Sequence, residues 1–243
     1  MTLFCLHGFL GHPIDWTGIS HEKPVVPNIF EDEIISLQNW SESFNKKVER
    51  QVKSAGEKSI LMGYSMGGRL ALHALINHPD LYNAAIIISA SYGVEDPEER
   101  ERRYQHDINW SNAFLSESWD SLLERWNGQP IFQYDKKDVI RLEKDYSRKA
   151  LSDAMRCFSI GKQEFLKEKI EELDIPILWV VGERDTKYVS LAKNLRLKHP
   201  DSSIVVIPNA GHRLHLTNPE TLQEKIGEFI LLNSENYNFI VKQ

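Results

Sequence analysis

The first group in the sequence that could carry chemistry is a serine. Ser65 lies in the segment Gly63-Tyr64-Ser65-Met66-Gly67, directly after the apolar run 59–62 and before a helical pattern. A sharp turn from strand to helix lifts such a serine above a sheet, and small residues two positions to either side let the backbone cross closely there. The helix N-terminus then points backbone N–H groups at developing negative charge. The segment therefore predicts that Ser65 acts as a nucleophile or a base.

A serine is a weak nucleophile or base on its own, so it needs a histidine and an acid that orients the histidine. Among nine histidines, His212 has the most suitable context, because it follows Gly211 in a loop that leaves the final strand. Asp185 ends the segment Gly182-Glu183-Arg184-Asp185 after an earlier strand, and we predict it as the acid, with Glu183 as the alternative. The chain order serine, aspartate, histidine is the one expected for α/β-hydrolases.

Backbone N–H groups close to Ser65 should stabilise an oxyanion. One is the N–H of Met66, which directly follows the serine. The second should come from the loop after the first strand, His7-Gly8-Phe9-Leu10-Gly11, in which Phe9 is the predicted donor. We expect His7 to hold this loop in place rather than to take part in the chemistry.

The elements that must position these residues alternate between short apolar runs and helical patterns. Predicted strands cover residues 3–7, 59–63, 84–89, 175–181 and 203–207, and predicted helices cover 40–55, 66–77, 189–198 and 219–231. The strands are rich in Ile, Val and Leu without polar alternation, which indicates strands covered on both faces. The sequence therefore predicts an α/β-hydrolase fold, with a mostly parallel central sheet and helices on both faces.

One stretch interrupts this alternation. From about residue 93 to residue 158 the sequence is charged, rich in aromatic residues and helical in pattern, without a convincing strand. We interpret 93–158 as a helical lid insertion, with residues 1–92 and 159–243 as the two parts of the hydrolase core. The alternative is a surface excursion of no functional consequence.

Composition argues against several other classes of protein. Hydrophobic residues at 41% and charged residues at 26% are typical of a globular domain. A net charge of −6 argues against broad nucleic-acid binding. We see no signal peptide and no membrane-spanning run, so we expect a cytoplasmic protein without membrane insertion. Two unclustered cysteines give no metal-ligand spacing, and we expect no metal. The sequence leaves the oligomeric state open.

Motifs in the core and in the predicted lid, which together span nearly the whole chain, carry a family resemblance. The core motifs are His7-Gly8-Phe9-Leu10-Gly11, Gly63-Tyr64-Ser65-Met66-Gly67-Gly68-Arg69, Gly182-Glu183-Arg184-Asp185, and Gly211-His212 with Asn218-Pro219. The predicted lid adds Arg100 to Arg103, Asp107, Trp110, Phe114-Leu115, and Trp126 with Gln129-Pro130-Ile131-Phe132. With these motifs the chain resembles the SHCHC synthase family, lyases of the menaquinone pathway that make 2-succinyl-6-hydroxy-2,4-cyclohexadiene-1-carboxylate. Tyr64, Arg69 and the Trp126 segment are the more selective features.

The resemblance implies an elimination rather than a hydrolysis. The substrate would be a cyclohexene that bears succinyl, enolpyruvyl and carboxylate groups. Ser65, assisted by His212, would remove a ring proton beside the succinyl ketone, the oxyanion hole would hold the enolate, and pyruvate would leave. This chemistry needs no cofactor, and it implies a small-molecule polycarboxylate as the partner. Arginine is the natural bidentate clamp for a carboxylate.

The resemblance also implies substrate-binding roles for several side chains. Tyr64 and Arg69, which flank the serine in the sequence, match positions of the family, although Arg69 could also be a helix-surface residue. Counting from Trp110 places Arg103 on the family's lid arginine, for which a solvated helix face is the alternative. Trp126 falls on the family's lid tryptophan, for which packing within the lid is the alternative.

The second lid arginine of the family has no clean match in this chain. An ungapped count lands on Glu143, whereas a small shift selects Arg141, and Lys144 and Arg148 lie nearby. Arg141 is therefore the candidate for this role. The mismatch keeps a second hypothesis open, a carboxylesterase or thioesterase that uses the same triad. A third hypothesis, a non-catalytic binding module, is disfavoured because a complete triad is present.

Overall fold

The computed structural model describes residues 2–17, 19, 24–30, 35–55, 59–135 and 139–240. Of residues 55 and 234–240 it describes the backbone. Residues 136–138 of the predicted lid lie outside the described residues. Within the described residues the sheet has five strands, all parallel, in the order β1-β2-β3-β4-β5. The strands are β1 (Thr2–Leu6), β2 (Ser59–Tyr64), β3 (Tyr82–Ile88), β4 (Ile177–Gly182) and β5 (Ser203–Ile207).

Nine α-helices connect or follow these strands in the described part of the chain. They are α1 (Leu37–Ala55), α2 (Met66–Asn77), α3 (Pro97–Ser116), α4 (Trp119–Asn127), α5 (Arg148–Cys157), α6 (Lys167–Glu171), α7 (Thr186–Lys193), α8 (Leu214–Thr217) and α9 (Pro219–Ile240). Short 3-10 helices cover Pro13–Trp16, Pro79–Leu81, Pro130–Phe132 and Glu143–Asp145. No helix among the described residues combines the length and apolar character that a membrane span requires.

The buried side chains form two clusters, one on each face of the sheet. Alternate residues of a strand point to opposite faces, so Phe4 and Leu6 of β1 join the cluster beneath α1 and α2, whereas Leu3 and Cys5 join the cluster beneath α9. Helices on both faces and parallel strands confirm the predicted α/β architecture. In such sheets the loops at the carboxyl ends of the strands gather at one edge, which is where ligands bind.

The stretch between β3 and β4 is helical, as the sequence predicts. Helices α3, α4 and α5 follow one another there, and α3 packs along α5. Phe114 and Leu122 are fully buried, and both belong to the larger apolar cluster. The insertion therefore shares the core with the sheet rather than forming a separate globule.

Several bounds differ from the sequence-based predictions: α1 begins at Leu37 rather than at residue 40, and α9 extends to Ile240 rather than ending at residue 231. Two further differences are instructive. We expected a helix over 189–198, but α7 begins at Thr186 and ends at Lys193, because Asp185 occupies its N-cap position and the helical backbone stops at Asn194. We also expected every strand to be covered on both faces, yet β5 is partly exposed, with Val206 37% accessible. Among the described strands β5 lies at the edge of the sheet, where fewer elements pack over a strand than in the middle.

Candidate active site

Ser65 lies in the tight turn between β2 and α2. Its backbone adopts φ 51° and ψ −112°, a strained conformation for a residue with a side chain. The turn is held because the N–H of Ser65 donates to the carbonyl oxygen of Ile88, 2.9 Å away on the neighbouring strand. A side chain at Gly67 would collide with the backbone carbonyl oxygens of Leu6 and His7, so only glycine lets α2 approach β1 this closely.

The structure brings the three predicted triad residues together. His212 Nε2 lies 3.1 Å from Ser65 Oγ, and His212 Nδ1 lies 2.6 Å from Asp185 Oδ2. Glu183, the alternative acid, is exposed and accepts a hydrogen bond from the N–H of Asn209 instead. This is the geometry in which a histidine can take a proton from the serine while the aspartate fixes its orientation.

The two predicted oxyanion donors lie beside this group. Met66 is the first residue of α2, where backbone N–H groups have no acceptor within the helix. Phe9 follows β1 in a loop that His7 holds: His7 Nδ1 contacts the carbonyl oxygen of Gly8 at 2.9 Å, and the N–H of Ile29 donates to His7 Nε2. Burial lowers the pKa of His7 to about 4, so the ring is neutral and able to accept.

Aromatic side chains pack against the ring of His212. The ring of Tyr188 lies 4.7 Å from the imidazole, and the ring of Tyr64 lies 5.4 Å from it. Tyr64 also packs on His215 at 4.1 Å, and burial raises the pKa of its hydroxyl. Tyr64 is buried behind Ser65, so its aromatic ring forms part of the floor of the site.

A cleft of about 450 Å³ opens above Ser65, and we call it the outer cleft. Its described lining includes the predicted residues Arg69 and Arg103, together with Arg184 and Lys187. The negative charge among these lining residues is that of Asp185, which faces His212. The outer cleft is therefore strongly cationic beside a proton-transfer group, which suits an anionic substrate.

Arg69 is buried rather than on a helix surface. Its Nη1 donates to the carbonyl oxygen of Phe158 at 2.6 Å and to Gln163 Oε1 at 3.2 Å. Burial lowers the pKa of Arg69 to about 10, and the side chain still carries its charge at neutral pH. These contacts join α2, which begins after Ser65, to the segment that follows α5.

Arg103 is held by a buried acid one turn further along α3. Its Nε lies 3.1 and 3.2 Å from the two carboxylate oxygens of Asp107. Asp107 also accepts a hydrogen bond from Ser159 Oγ at 2.7 Å. Burial by itself would raise the pKa of Asp107, but hydrogen bonds from His106 and Ser159 and the charge of Arg103 bring it below its usual value.

A smaller space of about 50 Å³ continues from Ser65 under α4, and we call it the inner compartment. Phe9, Trp126 and Phe132 line both spaces, as Ser65 does. The ring of Trp126 lies 4.8 Å from that of Phe9 and 4.9 Å from that of Trp110. Trp126 thus faces the site and packs within the insertion at the same time.

Arg141 reaches the inner compartment from the irregular segment after α4. Its Nη1 and Nη2 donate to Asp15 Oδ1 and Oδ2 at 2.9 and 2.6 Å, a bidentate pair. The side chains are only 11% and 6% exposed, so water screens this pair little. The nearby residues Glu143 and Arg148 pair with each other at 2.6 Å and are absent from the lining of either space.

A family model for α/β hydrolases, Hydrolase_4 (serine aminopeptidase, S33), matches residues 7–219. The chain belongs to this family. The match spans the loop after β1, the turn at Ser65 and the loops that carry Asp185 and His212.

The chain is also similar to proteins named as SHCHC synthases. It is 27% identical to the 2-succinyl-6-hydroxy-2,4-cyclohexadiene-1-carboxylate synthase of Serratia proteamaculans, over 94% of this chain and 92% of that protein. MenH from S. aureus superposes with a TM-score of 0.83 at 22% identity, covering 96% of this chain and 94% of that one. An esterase from Thermogutta terrifontis, solved with malate bound, superposes at 0.69 with 17% identity over 96% and 90% of the two chains. The resemblance stated from the sequence is confirmed.

Two charged residues that line the site were not among those predicted from the sequence. Arg213 lines the inner compartment, and its guanidinium carbon lies 3.7 Å from the centre of the Phe132 ring. It directly follows His212 in the chain, which is a signal that could have found it. Asp15 gave no such signal, because its partner Arg141 is 126 residues away in the sequence.

Proposed function

We propose that this protein is a carbon–oxygen lyase that eliminates pyruvate from 2-succinyl-5-enolpyruvyl-6-hydroxy-3-cyclohexene-1-carboxylate to give SHCHC, a step of menaquinone biosynthesis. The observation that carries the proposal is the cationic outer cleft directly above the Ser65–His212 pair. A substrate with three carboxylates needs such an environment, because a buried carboxylate is stable only when it is paired. The names of the similar proteins agree with this assignment.

The elimination follows from the geometry of the triad. Ser65 Oγ passes its proton to His212 Nε2 and takes the ring proton beside the succinyl ketone, while the charge that develops on the ketone oxygen faces the N–H groups of Phe9 and Met66. When the enolate reverts to the ketone, its electron pair forms a ring double bond between C2 and C3, the original double bond shifts from C3–C4 to C4–C5, and the bond between C5 and the enolpyruvyl oxygen breaks. The leaving group is the enolate of pyruvate, which accepts the proton that His212 holds. Asp185 stabilises the imidazolium between these two steps.

Positively charged and aromatic side chains would bind different parts of the substrate. Arg69 and Arg103 take carboxylates in the outer cleft, and Trp126 packs against the ring, so the helical insertion acts as the lid of the site. The partner is a small-molecule polycarboxylate rather than a nucleic acid, and we expect the reaction to take place in the cytoplasm, without a cofactor.

The test is a coupled assay of pyruvate release from the enolpyruvyl substrate. Ser65→Ala should abolish release, and Arg103→Ala should raise the KM about tenfold or more, because one charge-assisted contact is lost. Ser116→Ala, which changes an exposed serine of α3, serves as the matched control and should retain full activity. Substrate that the wild-type protein leaves intact, in an assay where an active SHCHC synthase releases pyruvate, would refute the proposal.

A second candidate function is a carboxylesterase or thioesterase. The same triad and oxyanion donors suit acyl transfer, and the aromatic walls formed by Phe9, Trp126 and Phe132 would accept an acyl chain. Turnover of short acyl esters that depends on Ser65, without release of pyruvate, would select this function. Labelling of Ser65 by a fluorophosphonate would separate both enzymatic hypotheses from a non-catalytic binding module.

A further inference from the structure

Asp135, a residue of the helical insertion, contacts the loop that carries His212. Its own N–H donates to the carbonyl oxygen of Phe132 at 2.9 Å, which closes a turn of the insertion. Its carboxylate Oδ1 accepts a hydrogen bond from the backbone N–H of Arg213 at 3.1 Å. The same oxygen packs so closely on Gly211 that a β-carbon at this glycine would collide with it. One carboxylate oxygen therefore contacts both chain neighbours of the histidine.

The other oxygen of this carboxylate, Oδ2, is buried and has no hydrogen-bond partner among the described residues. Burial raises the pKa of Asp135, although the backbone N–H of Arg213 and electrostatic interactions with His212 and Arg213 act to lower it. A buried acid with an unpartnered oxygen reduces stability, because it loses water without full compensation. The presence of a carboxylate at this position therefore indicates a role other than stabilising the fold.

Asp135 is not placed to bind the substrate. It does not occur among the described residues that line the outer cleft or the inner compartment. Its negative charge would also repel the polycarboxylate of the proposed function. The contacts of Asp135 are with the backbone of the protein, so any effect on the reaction has to pass through the loop of His212.

The position of this loop matters for proton transfer. The loop leaves β5 through Asn209, whose φ of 57° lies in the left-handed region that residues with a side chain rarely adopt. Such a conformation persists only where the surroundings hold it. The imidazole of His212 must also stay within hydrogen-bond distance of both Ser65 and Asp185. A small shift of the loop would lengthen one of these two contacts.

We propose that Asp135 is a positioning residue for His212: it holds the backbone on both sides of the histidine, so that the imidazole keeps its contacts with Ser65 and Asp185. The inference rests on the proposed function only in that His212 transfers a proton, which the lyase and the esterase reactions both require. The helical insertion then has a second role besides substrate binding, because one of its side chains fixes the proton-transfer group of the core.

Two measurements test this role without the enolpyruvyl substrate. The first is the rate at which a fluorophosphonate labels Ser65, a reaction that needs His212 as the base. The second is the proton resonance of the hydrogen bond between His212 Nδ1 and Asp185, recorded by nuclear magnetic resonance, which reports the position of the imidazole. Circular dichroism would verify that each variant is folded.

The variants separate the contact of Asp135 from its charge. Asp135→Ala removes both, whereas Asp135→Asn keeps a side-chain oxygen that can accept from the N–H of Arg213. Gly211→Ala adds a methyl group that would collide with Asp135 Oδ1, and it is made in the wild-type protein and in Asp135→Ala. Asp120→Ala, which removes an exposed acid of α4, is the matched control.

We expect Asp135→Ala to lower the labelling rate about tenfold and to shift the resonance, because a hydrogen bond to the loop is lost. Asp135→Asn should stay within about threefold of the wild-type rate, since its amide oxygen restores that bond. Gly211→Ala should slow labelling in the wild-type protein but have little further effect in Asp135→Ala, where the colliding oxygen is gone. In the pyruvate assay the losses should appear in kcat, with KM unchanged.

An Asp135→Ala protein that is labelled as fast as Asp120→Ala and keeps the wild-type resonance would overturn the proposal. Equal losses in Asp135→Asn and Asp135→Ala would also overturn it, and would assign the effect to the charge of Asp135 instead of the contact. A wild-type protein that shows the resonance but neither is labelled nor releases pyruvate would refute the proposed function, while the resonance of the variants would still decide the role of Asp135.

Discussion

The predicted triad is positioned in a different way from the arginines of the outer cleft and the inner compartment. Ser65, Asp185 and His212 follow the carboxyl ends of β2, β4 and β5, and the backbone of the sheet sets their separation. Arg103 and Arg141 come from the helical insertion, and each is held by a carboxylate, Asp107 or Asp15.

This difference separates a part of the site that the backbone fixes from a part that side-chain ion pairs fix. Proton transfer requires the serine and histidine to stay within hydrogen-bond distance, which a rigid backbone provides. An arginine that an acid of the protein holds in place can meet a substrate carboxylate with its remaining N–H groups. Four changes to the chain test this division, from the largest expected effect to the smallest.

Asp185→Asn should have the largest effect on catalysis. The amide cannot stabilise an imidazolium at His212 and favours the wrong tautomer, so we expect kcat for pyruvate release to fall about 10⁴-fold. The protein should remain folded, because the side chains have almost the same shape. Asp153→Asn, on the outer side of α5, is the control and should keep the wild-type kcat.

Gly67→Ala should have the largest effect on stability. The added methyl group would meet the carbonyl oxygens of Leu6 and His7, and neither backbone segment can withdraw easily. We expect the free energy of unfolding to fall by about 3 kcal/mol or more, measured by urea denaturation. Gly227→Ala in α9 is the matched control: nothing lies within 4 Å of the new methyl group, and the helix should gain about 0.5–1 kcal/mol. Equal effects at the two positions would show that the crossing at Ser65 is not tight.

His215→Phe should change the dependence of stability on pH. The pKa of His215 is lowered from 6.5 to about 3, so between these values the unfolded chain binds more protons than the folded protein. Stability is therefore lost as the pH falls below 6.5, by roughly 2–3 kcal/mol at pH 4.5 for this one group.

Phenylalanine keeps the ring contacts with Trp16 and Tyr64 and removes the titrating group. We expect the difference in unfolding free energy between pH 7 and pH 4.5 to shrink in His215→Phe, as measured by urea denaturation at the two pH values. The exposed His78, changed to Gln, is the control and should leave the difference as it is. A part of the acid sensitivity should persist, since burial also lowers the pKa of His7 and of His73 to about 4.

Asp107→Asn should have the smallest effect of the four, and it should act on binding. Without the charge that fixes its Nε, Arg103 loses its preferred position above the outer cleft. We expect the KM for the enolpyruvyl substrate to rise about tenfold with kcat changed less than about twofold, since an interaction made equally in both states changes KM alone. Asn can still accept the hydrogen bond from Ser159. A fall in kcat at unchanged KM would instead place Asp107 in the support of the triad.

The sequence was sufficient to predict the part of the site that the backbone determines. The motifs around Ser65, Asp185 and His212 each mark the end of a parallel strand, and such ends meet at one edge of a sheet. The helix after Ser65 was predicted with the observed bounds, 66–77, because the turn motif marks its start and Pro79 follows shortly after its end. The bounds of α7 were less accurate, since a capping residue rather than periodicity decides where it begins.

The part of the site that depends on side-chain pairing was less predictable. The count from the sequence could not choose between Arg141 and its neighbours, and the three-dimensional contact with Asp15 distinguishes Arg141. Arg69 looked equally compatible with a helix surface, because an isolated arginine at one helical position carries no sign of what packs over it. The insertion covers it only in the folded chain.

The buried guanidinium of Arg69 also bears on how this protein could be engineered. Its direct partners among the described residues are a carbonyl and an amide, so within this part of the chain a full positive charge is removed from water without a carboxylate in contact. An apolar side chain of similar length, such as methionine, would avoid that desolvation. Selection for heat resistance alone would therefore favour the loss of Arg69, whereas selection for turnover would retain it. At this position, a substitution that raises thermal stability is expected to lower catalytic activity.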